Sequence, residues 1–148
     1  MANAKIVAVG PGELELIADL YSQVFSPPQS AEYFQRRVDR RYNVGLFVAL
    51  LDDRHVGFTV SYELRPVIYY CWLCGVLPDA RRMGVATQLM QALEAFVLDH
   101  DYGIIRFECQ NQHRPMLHLA ITEGYDLVGM RWDTAISANV AIFEKDLR

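Results

Sequence analysis

The sequence contains no apolar run long enough to cross a bilayer. A spanning helix needs roughly 20 consecutive apolar residues, and no segment of the 148 residues approaches that length. The first residues also lack the basic and apolar regions of a signal peptide. These two absences predict a soluble, cytoplasmic protein without a membrane partner.

The sequence also has fewer basic residues than acidic ones. Lys and Arg number 14 against 18 Asp and Glu, so the formal net charge is -4 at neutral pH. A protein that binds nucleic acid gains much of its affinity by neutralising phosphates, which requires the opposite sign. We therefore expect no nucleic acid among its partners.

Cysteine is scarce and odd in number. Cys71, Cys74 and Cys109 lie inside strongly apolar segments, which favours reduced, buried thiols over a disulfide framework. Cys71 and Cys74 have the spacing of half a zinc site, but no second Cys or His pair follows at ligand spacing. Residues three apart on a strand also face opposite ways, so the sequence predicts no metal site.

Apolar residues, in contrast, make up 52% of the chain. At this length they can form a sizeable core without metal or disulfide bonds, so we predict one domain over residues 1–148. Hydrophobic periodicity predicts seven strands, over 5–9, 45–51, 56–63, 67–76, 104–109, 125–132 and 140–145. It predicts four helices, from Leu14 to Val24, from an N-cap at Ser30 to about Arg41, from Val85 to before Gly103, and from Pro115 to Thr122.

The spacing of these elements indicates a mixed α/β (α+β) sheet. Turn-length segments at Asp52-Asp53 and Arg65-Pro66 separate three consecutive strands, which favours an antiparallel meander. The strand, helix and strand from residue 67 to residue 109 then imply a parallel crossover at the centre of the sheet.

One segment, Leu77-Pro78-Asp79-Ala80-Arg81-Arg82-Met83-Gly84-Val85-Ala86, precedes the long helix. A helix that begins there presents unpaired N–H groups and the positive end of its dipole to an anion. Gly84 allows a ligand to approach the backbone, and Arg81 and Arg82 add positive charge. The plain alternative is a loop with one glycine and two solvated arginines.

This segment resembles the pyrophosphate loop of the GNAT superfamily, which reads Q/R-x-x-G-x-G/A. A strand that ends Val-x-Pro precedes that loop in the family, and a Gly-Phe or Gly-Tyr follows a later short helix. The matching residues here are Arg81, Gly84, Ala86, Val76, Pro78, Gly124 and Tyr125. The order of predicted elements is similar over essentially the whole chain. The resemblance implies a GNAT fold and an acyltransferase that uses acetyl-CoA as co-substrate.

The resemblance also implies where acetyl-CoA binds. Backbone amides from Arg82 to Ala86 would hold the pyrophosphate, and the backbone from Cys74 to Val76 would pair with the pantetheine arm. Asn111 and Arg114 follow the next strand and are either cofactor contacts or part of a solvated loop. The predicted cofactor-binding set is Cys74, Gly75, Val76, Arg81, Arg82, Met83, Gly84, Val85, Ala86, Thr87, Asn111 and Arg114.

Two positions differ from the catalytic residues that family members commonly carry. Tyr70 occupies the position, six residues before the Val of Val-x-Pro, where many family members have a Glu. Ala120 occupies the position, four residues before the Gly of Gly-Tyr, where many have a Tyr that protonates the departing CoA sulfur. A phenol with a reference pKa of about 10 is a poor base, so we interpret Tyr70 as pocket wall more readily than catalyst. Glu63 and Glu108 remain as candidate bases acting through water, and His113 as a substitute acid.

In this family the first two helices and the loop between the last strands usually form the acceptor pocket. The aromatic and acidic residues there are Tyr21, Phe25, Tyr33, Phe34, Trp132 and Asp133. The plain alternative is that most of the aromatic ones belong to the core. Four arginines of the second helix, Arg36, Arg37, Arg40 and Arg41, either bind a carboxylate or acidic partner or form a solvated face.

The leading hypothesis is acetyl transfer from acetyl-CoA to a primary amine of a small metabolite, with a protein N-terminus or lysine second. The alternative, motivated by Tyr70 and Ala120, is an acyl-CoA sensor or regulatory subunit without turnover. Because family members are often dimers, a homodimer is possible.

Overall fold

The computed structural model describes residues 2–148, which form seven strands and four α-helices. The strands are β1 (Lys5–Val9), β2 (Gly45–Leu51), β3 (Arg54–Arg65), β4 (Ile68–Val76), β5 (Ile104–Gln110), β6 (Asp126–Asp133) and β7 (Ala138–Asp146). The helices are α1 (Leu14–Val24), α2 (Ala31–Val38), α3 (Val85–Asp99) and α4 (Arg114–Thr122). None of the helices within this range is long and apolar enough to cross a membrane.

All seven strands belong to one mixed sheet, in the spatial order β1-β2-β3-β4-β5-β7-β6. The four strands from β1 to β4 pair antiparallel with their neighbours, β4 and β5 are parallel, and β7 pairs antiparallel with both β5 and β6. This topology confirms the predicted mixed sheet, with its antiparallel meander and its central parallel crossover through α3.

Helices cover both faces of the sheet. Helices α1 and α2 pack on one face, where Ile17 and Phe34 meet Val48 and Phe58 of the sheet. Helices α3 and α4 pack on the other face. Because both faces are covered, β2 is apolar along most of its length instead of alternating.

The crossover helix α3 follows the predicted helical stripe. Val85, Leu89, Leu93 and Val97 recur every four residues, and all four side chains are buried. This spacing places them on one face of the helix, toward the sheet. The helix is therefore fixed against the core, and its first turn has a defined position next to β4.

The second helix is shorter than predicted. Ser30 caps it as expected, because its Oγ accepts a hydrogen bond from the Tyr33 amide at 3.3 Å. The helix ends at Val38 and not near Arg41, since Arg40 has a left-handed backbone with φ of 62° that cannot continue it. Arg40 and Arg41 therefore lie beyond the helix, and the chain turn redirects Arg41.

The turn between β3 and β4 places a valine in an unfavourable backbone conformation. Val67 has φ of 79°, which is unusual for a β-branched residue. Its carbonyl accepts hydrogen bonds from the Gly103 and Ile104 amides, both at 3.0 Å, which fixes the turn against the start of β5. We expect Val67→Gly to raise the free energy of unfolding by about 1 kcal/mol, measured by chemical denaturation, because it relieves left-handed strain.

The matched control is Asp53→Gly in the β2–β3 hairpin. Asp53 also has a positive φ, of 62°, but an Asp tolerates this region far better than a Val does. Asp53→Gly should therefore leave stability nearly unchanged or lower it. Equal effects of the two substitutions would contradict the assignment of strain to Val67.

Candidate active site

A cleft opens where the two parallel strands of the sheet separate. β4 and β5 pair only through Ile68–Cys71 on one strand and Ile104–Phe107 on the other. Beyond these pairs the strands, helices α1, α2 and α4, and the β6–β7 connection surround a cavity of about 720 Å³. Within residues 2–148, the edge of β4 past Cys71 has no strand partner on this side. Its backbone N–H and C=O groups can therefore bond a ligand.

A β-bulge accompanies the separation. Val60 of β3 pairs with Leu73 and Ser61 pairs with Cys71, so Trp72 is an extra residue in β4. Such a bulge bends the strand and increases its twist. We attribute the divergence of β4 from β5 to this extra residue, which lies next to the last parallel pair.

The bulge also corrects the prediction for the two nearby cysteines. Strict alternation would put Cys71 and Cys74 on opposite faces, but the extra residue returns both to the core beneath α3. Burial raises the pKa of Cys74 to about 12, so it stays a neutral thiol rather than a nucleophile at neutral pH. Within residues 2–148, no three Cys, His, Asp or Glu side chains form a group that could hold a metal.

The loop before α3 presents backbone amides at the helix N-terminus. Gly84 is the N-cap, with φ of 79°, and Arg82 also has a positive φ, of 65°. The first helical hydrogen bond runs from the Gln88 amide to the Gly84 carbonyl, at 3.1 Å. In the described part of the chain, the preceding amides of the first turn, from 85 to 87, therefore lack an intrahelical acceptor. Together with the helix dipole they can bind an anion.

Gln88 holds this loop in place, and sequence reasoning missed it. Its Nε2 donates to the carbonyls of Gly84 (3.0 Å) and Ala2 (2.7 Å), while its Oε1 accepts from the Ala4 amide (3.0 Å). The Ala2 amide in turn donates to the Met83 carbonyl at 3.0 Å. The Met83 and Gly84 carbonyls are thus occupied, which leaves the amides that follow as groups available to a ligand. No local pattern signals the contacts with Ala2 and Ala4, because they join residues more than 80 positions apart.

The loop connects to the cleft through Arg81. The Arg81 Nε donates to the Val76 carbonyl at the end of β4, at 3.2 Å. The Arg81 charge also contributes to a lowered pKa of His113, whose main cause is burial. His113 lines the cleft, so Arg81 contacts the end of β4 and lies near a cleft residue.

Of the predicted cofactor-binding residues, Cys74 alone lines the cleft itself. Asn111 and Arg114 are exposed and do not line the cleft, whereas Gln110 does. Gly75 is buried, and a Cβ there would lie 2.7 Å from the Phe58 ring, so packing alone requires glycine. The remaining members are Cys74 and Val76 on β4, Arg81, Arg82, Met83 and Gly84 in the loop, and Val85, Ala86 and Thr87 in the first turn of α3.

Charged side chains gather at the other end of the cleft. Glu108 follows the last β4–β5 pair directly and lines the cleft. Its Oε1 accepts a hydrogen bond from the Arg131 Nε at 2.5 Å, and the Arg131 guanidinium also lies 3.5 Å from Asp133. The bond to Glu108 raises the pKa of Arg131. The carboxylate of Glu108 is thus held, largely buried, at the point where the strands divide.

The comparisons with known proteins agree with this geometry. The sequence profile described as the Acetyltransferase (GNAT) family matches residues 14–124. The chain belongs to the GNAT family of acetyltransferases. No curated protein sequence matches it significantly.

Solved structures share the GNAT fold at low sequence identity. The ribosomal-protein-S18-alanine N-acetyltransferase of Escherichia coli superposes with a TM-score of 0.82 at 15% identity, covering 98% of this chain and 94% of that one. Ard1 of Thermoplasma volcanium superposes with a TM-score of 0.81 at 17% identity, covering 98% of both chains. A GNAT family acetyltransferase of Elizabethkingia anophelis with acetyl-CoA bound superposes with a TM-score of 0.74 at 16% identity, covering 99% of this chain and 100% of that one.

Within this GNAT chain, the two positions that differ from the common catalytic pattern are both enclosed. Tyr70 is buried in the floor of the cleft, and burial followed by the nearby Glu108 charge raises its pKa. The phenol therefore stays protonated at neutral pH. Ala120 is fully buried in the core beneath α4 and offers no proton donor.

His113 lies at the N-cap of α4, with its ring 6.0 Å from that of Phe25. Because burial lowers its pKa, the imidazole is mainly neutral at pH 7. A neutral imidazole has no acidic proton of suitable strength to give, so His113 fits the predicted role of substitute acid poorly.

The structure separates Glu63 from the other candidates. Its Oε1 accepts a hydrogen bond from the Tyr102 hydroxyl at 2.9 Å, and it does not line the cleft, whereas its neighbour Tyr62 does. Adjacent strand residues face opposite sides of the sheet. Glu63 therefore faces away from the cleft, and this placement removes it as a candidate base.

The predicted acceptor residues are likewise divided. Tyr21, Phe25, Tyr33 and Asp133 line the cleft. Phe34 is fully buried in the core beneath α1 and α2, and Trp132 is exposed outside the cleft. Arg131 and Asp133, the two neighbours of Trp132 on β6, line the cleft, so of the two residues predicted on this strand only Asp133 lies on the cleft face.

Proposed function

We propose that residues 1–148 form a single domain that transfers the acetyl group of acetyl-CoA to the primary amine of a small molecule. The proposal is carried by three observed features, which are the unpaired amides of α3, the open edge of β4 and Glu108 where β4 and β5 separate, and it takes them as one continuous binding route. One end of the route suits a pyrophosphate, its middle suits the amides of a pantetheine arm, and its far end holds a carboxylate.

Different parts of the protein would bind different parts of acetyl-CoA. The amides at the start of α3 would bind the pyrophosphate oxygens, and Gln88 keeps the loop carbonyls away from them. The open edge of β4 would pair with the pantetheine amides as a neighbouring strand does. When bound, acetyl-CoA supplies a thioester whose C–S bond breaks as the acceptor nitrogen forms the new amide bond.

Glu108 is the base in this proposal. An amine must lose a proton before it can attack, at a cost of about 5 kcal/mol at pH 7 for a lysine-like pKa near 10.4. Glu108 can accept that proton, directly or through one water, because its carboxylate lies in the cleft where β4 and β5 separate. Tyr70 stays a neutral phenol beside it and can donate a hydrogen bond.

No side chain at position 120 can protonate the departing sulfur. A thiol with a reference pKa near 8.5 is an acceptable leaving group as the thiolate, so an enzyme acid is not essential. The proposal therefore includes proton uptake by the thiolate from solvent.

A second candidate function, an acyl-CoA-binding protein without turnover, is favoured by the environments of Tyr70 and Ala120. Neither can perform the proton transfers that the family commonly assigns to these positions. Amine-dependent release of the CoA thiol from acetyl-CoA would establish turnover. Acetyl-CoA binding without such release, across a panel of amines and peptides, would support the binding protein. A cytoplasmic location and a homodimer stay predictions in either case.

Binding itself can be tested by thermal denaturation. A ligand at about 100 times its dissociation constant adds about 2.7 kcal/mol to the folded state, so acetyl-CoA should raise the Tm by roughly 5–10 °C for a chain of this length. Acetyl-pantetheine, which lacks the pyrophosphate, is the matched control and should give a much smaller shift. No shift with millimolar acetyl-CoA would refute the assignment.

A further inference from the structure

Two arginines at the acceptor end of the cleft carry charge that the protein does not neutralise. The Arg37 guanidinium lies over the Trp72 ring, 4.4 Å from its centroid, and its Nε donates to the Tyr62 hydroxyl at 3.1 Å. The Arg41 guanidinium lies 4.7 Å over the Tyr62 ring. Among residues 2–148, neither has a carboxylate within ion-pair distance. Stacking thus orients both guanidinium groups, a hydrogen bond also holds Arg37, and their remaining N–H donors are available.

The charge balance of the cleft makes these arginines unusual. Its lining contains three arginines and two acids, and both acids, Glu108 and Asp133, already contact Arg131. Arg37 and Arg41 therefore leave an excess of positive charge in a protein whose net charge is -4. Arg36, one position earlier, pairs instead with Glu32 at 3.3 Å and does not line the cleft.

We propose that Arg37 and Arg41 bind a carboxylate of the acceptor, which makes the acceptor a small amino acid or a close derivative that carries both an amine and a carboxylate. This inference rests on the proposed function, because Glu108 would receive the amine of the same molecule. A guanidinium stacked on a ring presents a planar fork that matches the two oxygens of a carboxylate.

Glu108 and Arg37 are both near Tyr70, which lines the same cleft. The Tyr70 ring lies 5.7 Å from the Tyr62 ring, whose hydroxyl accepts the Arg37 hydrogen bond. Burial and the Glu108 charge raise the pKa of Tyr70, and the Arg37 charge lowers it. Both charged groups are therefore close to one phenol on the cleft floor. Tyr33 of α2 and Ile136 of the β6–β7 connection also line this cleft. The cleft thus has walls from both segments, which favours a small acceptor over an extended peptide.

The test uses the full chain with Trp132→Phe, which leaves Trp72 as the single tryptophan. The protein, saturated with CoA, is titrated with α-, β- and γ-amino acids and with the carboxamide of each, while Trp72 fluorescence is followed. At least one amino acid should bind about tenfold or more tightly than its carboxamide. Arg37→Gln and Arg41→Gln should each weaken binding of the amino acid by about 10- to 100-fold, as expected for the loss of a hydrogen bond between charged groups. Neither substitution should change the affinity for the carboxamide.

Arg36→Gln is the matched control and should change neither affinity. Arg37→Lys keeps the charge but loses the planar fork. Its affinity for the amino acid should therefore lie between those of Arg37→Gln and the parent protein. Equal affinities for acids and carboxamides, or equal effects of Arg36→Gln and Arg37→Gln, would overturn the inference. Thiol-release assays with saturating acetyl-CoA form the second arm, and peptides acetylated more efficiently than every free amino acid would also overturn it.

Failure of this inference can be distinguished from failure of the proposed function. If the chain did not bind or turn over acetyl-CoA, neither a Tm shift nor thiol release would occur with any acceptor. Trp72 fluorescence would still report carboxylate binding at Arg37 and Arg41. If only the acceptor assignment were wrong, acetyl-CoA would raise the Tm and the preference for acids over carboxamides would be absent.

Discussion

Gly84→Val should weaken acetyl-CoA binding by about a hundredfold or more. Gly84 has φ of 79° and forms the N-cap of α3, and a β-branched residue resists this backbone conformation. The valine side chain would also stand where the pyrophosphate approaches the amides. Each hydrogen bond to a charged group contributes about 1.5–3 kcal/mol, so the loss of two accounts for an effect of this size. Isothermal titration with CoA measures it directly.

Two control variants test whether the loss of CoA affinity in Gly84→Val comes from a blocked binding site, from backbone strain or from a change in local charge. Gly124→Val places the same side chain at φ of 80°, where a Cβ meets nothing within 4 Å, outside the cleft. It should lower stability by a similar amount but leave CoA affinity intact. Arg82→Ala removes one exposed charge from the loop and should cost much less affinity than Gly84→Val. Equal, small losses in Gly84→Val and Arg82→Ala would instead indicate a general electrostatic patch.

The loop could be predicted from sequence because its determinants are local. A Pro at the strand end, a glycine before an apolar helical stripe and two arginines all lie within ten consecutive residues, 77–86. The helix dipole and the free amides follow from the position of the helix start alone. The topology was predictable for a similar reason, since turn lengths and hydrophobic periods determine which strands can pair.

The cleft could not be predicted in the same way, because a bulge shifts the side-chain pattern. Strict alternation along β4 assigns Cys71 and Cys74 to opposite faces, whereas the extra Trp72 places both on one face. A bulge depends on the fit between two strands and has no clear local signal. The separation of β4 from β5, and the cavity that results, therefore appear only in three dimensions.

The distinction between Glu63 and Glu108 also needed the tertiary structure. Each is a carboxylate on a strand, and alternation shows only that Glu63 and Tyr62 face opposite sides. Which side contains the cleft depends on where α1, α2 and α4 pack. The same holds for Arg37 and Arg41, since α2 ends at Val38 and the following turn redirects Arg41 toward Tyr62.

Glu108→Gln should lower kcat/KM by about 10²- to 10⁴-fold at neutral pH, the usual contribution of a general base. Acetyl-CoA affinity should not change, because Glu108 lies at the acceptor end of the route. Glu63→Gln is the matched control. It removes a carboxylate that bonds Tyr102 outside the cleft, so it should affect stability more than rate. A thermal melt of each variant verifies that it is folded.

The pH dependence distinguishes Glu108 from the other titratable groups of the cleft. In the parent, kcat/KM should rise with pH as the acceptor amine loses its proton. Deprotonation of Tyr70 should produce no falling limb below pH 10, because its pKa is raised. The loss in Glu108→Gln should shrink as pH approaches the pKa of the amine, where solvent has already removed the proton that Glu108 accepts.

His113→Ala supplies the decisive comparison. If Glu108 is the base, removal of the His113 side chain should cost little. The lowered pKa of His113 makes its imidazole neutral at neutral pH. A neutral imidazole could nevertheless accept a proton. If His113→Ala lost a hundredfold in kcat/KM and Glu108→Gln kept full activity, His113 would be the base, and Glu108 would serve only to hold Arg131. The two residues line the same cleft, so the pair of profiles, measured with one acceptor, assigns the proton transfer to one of them.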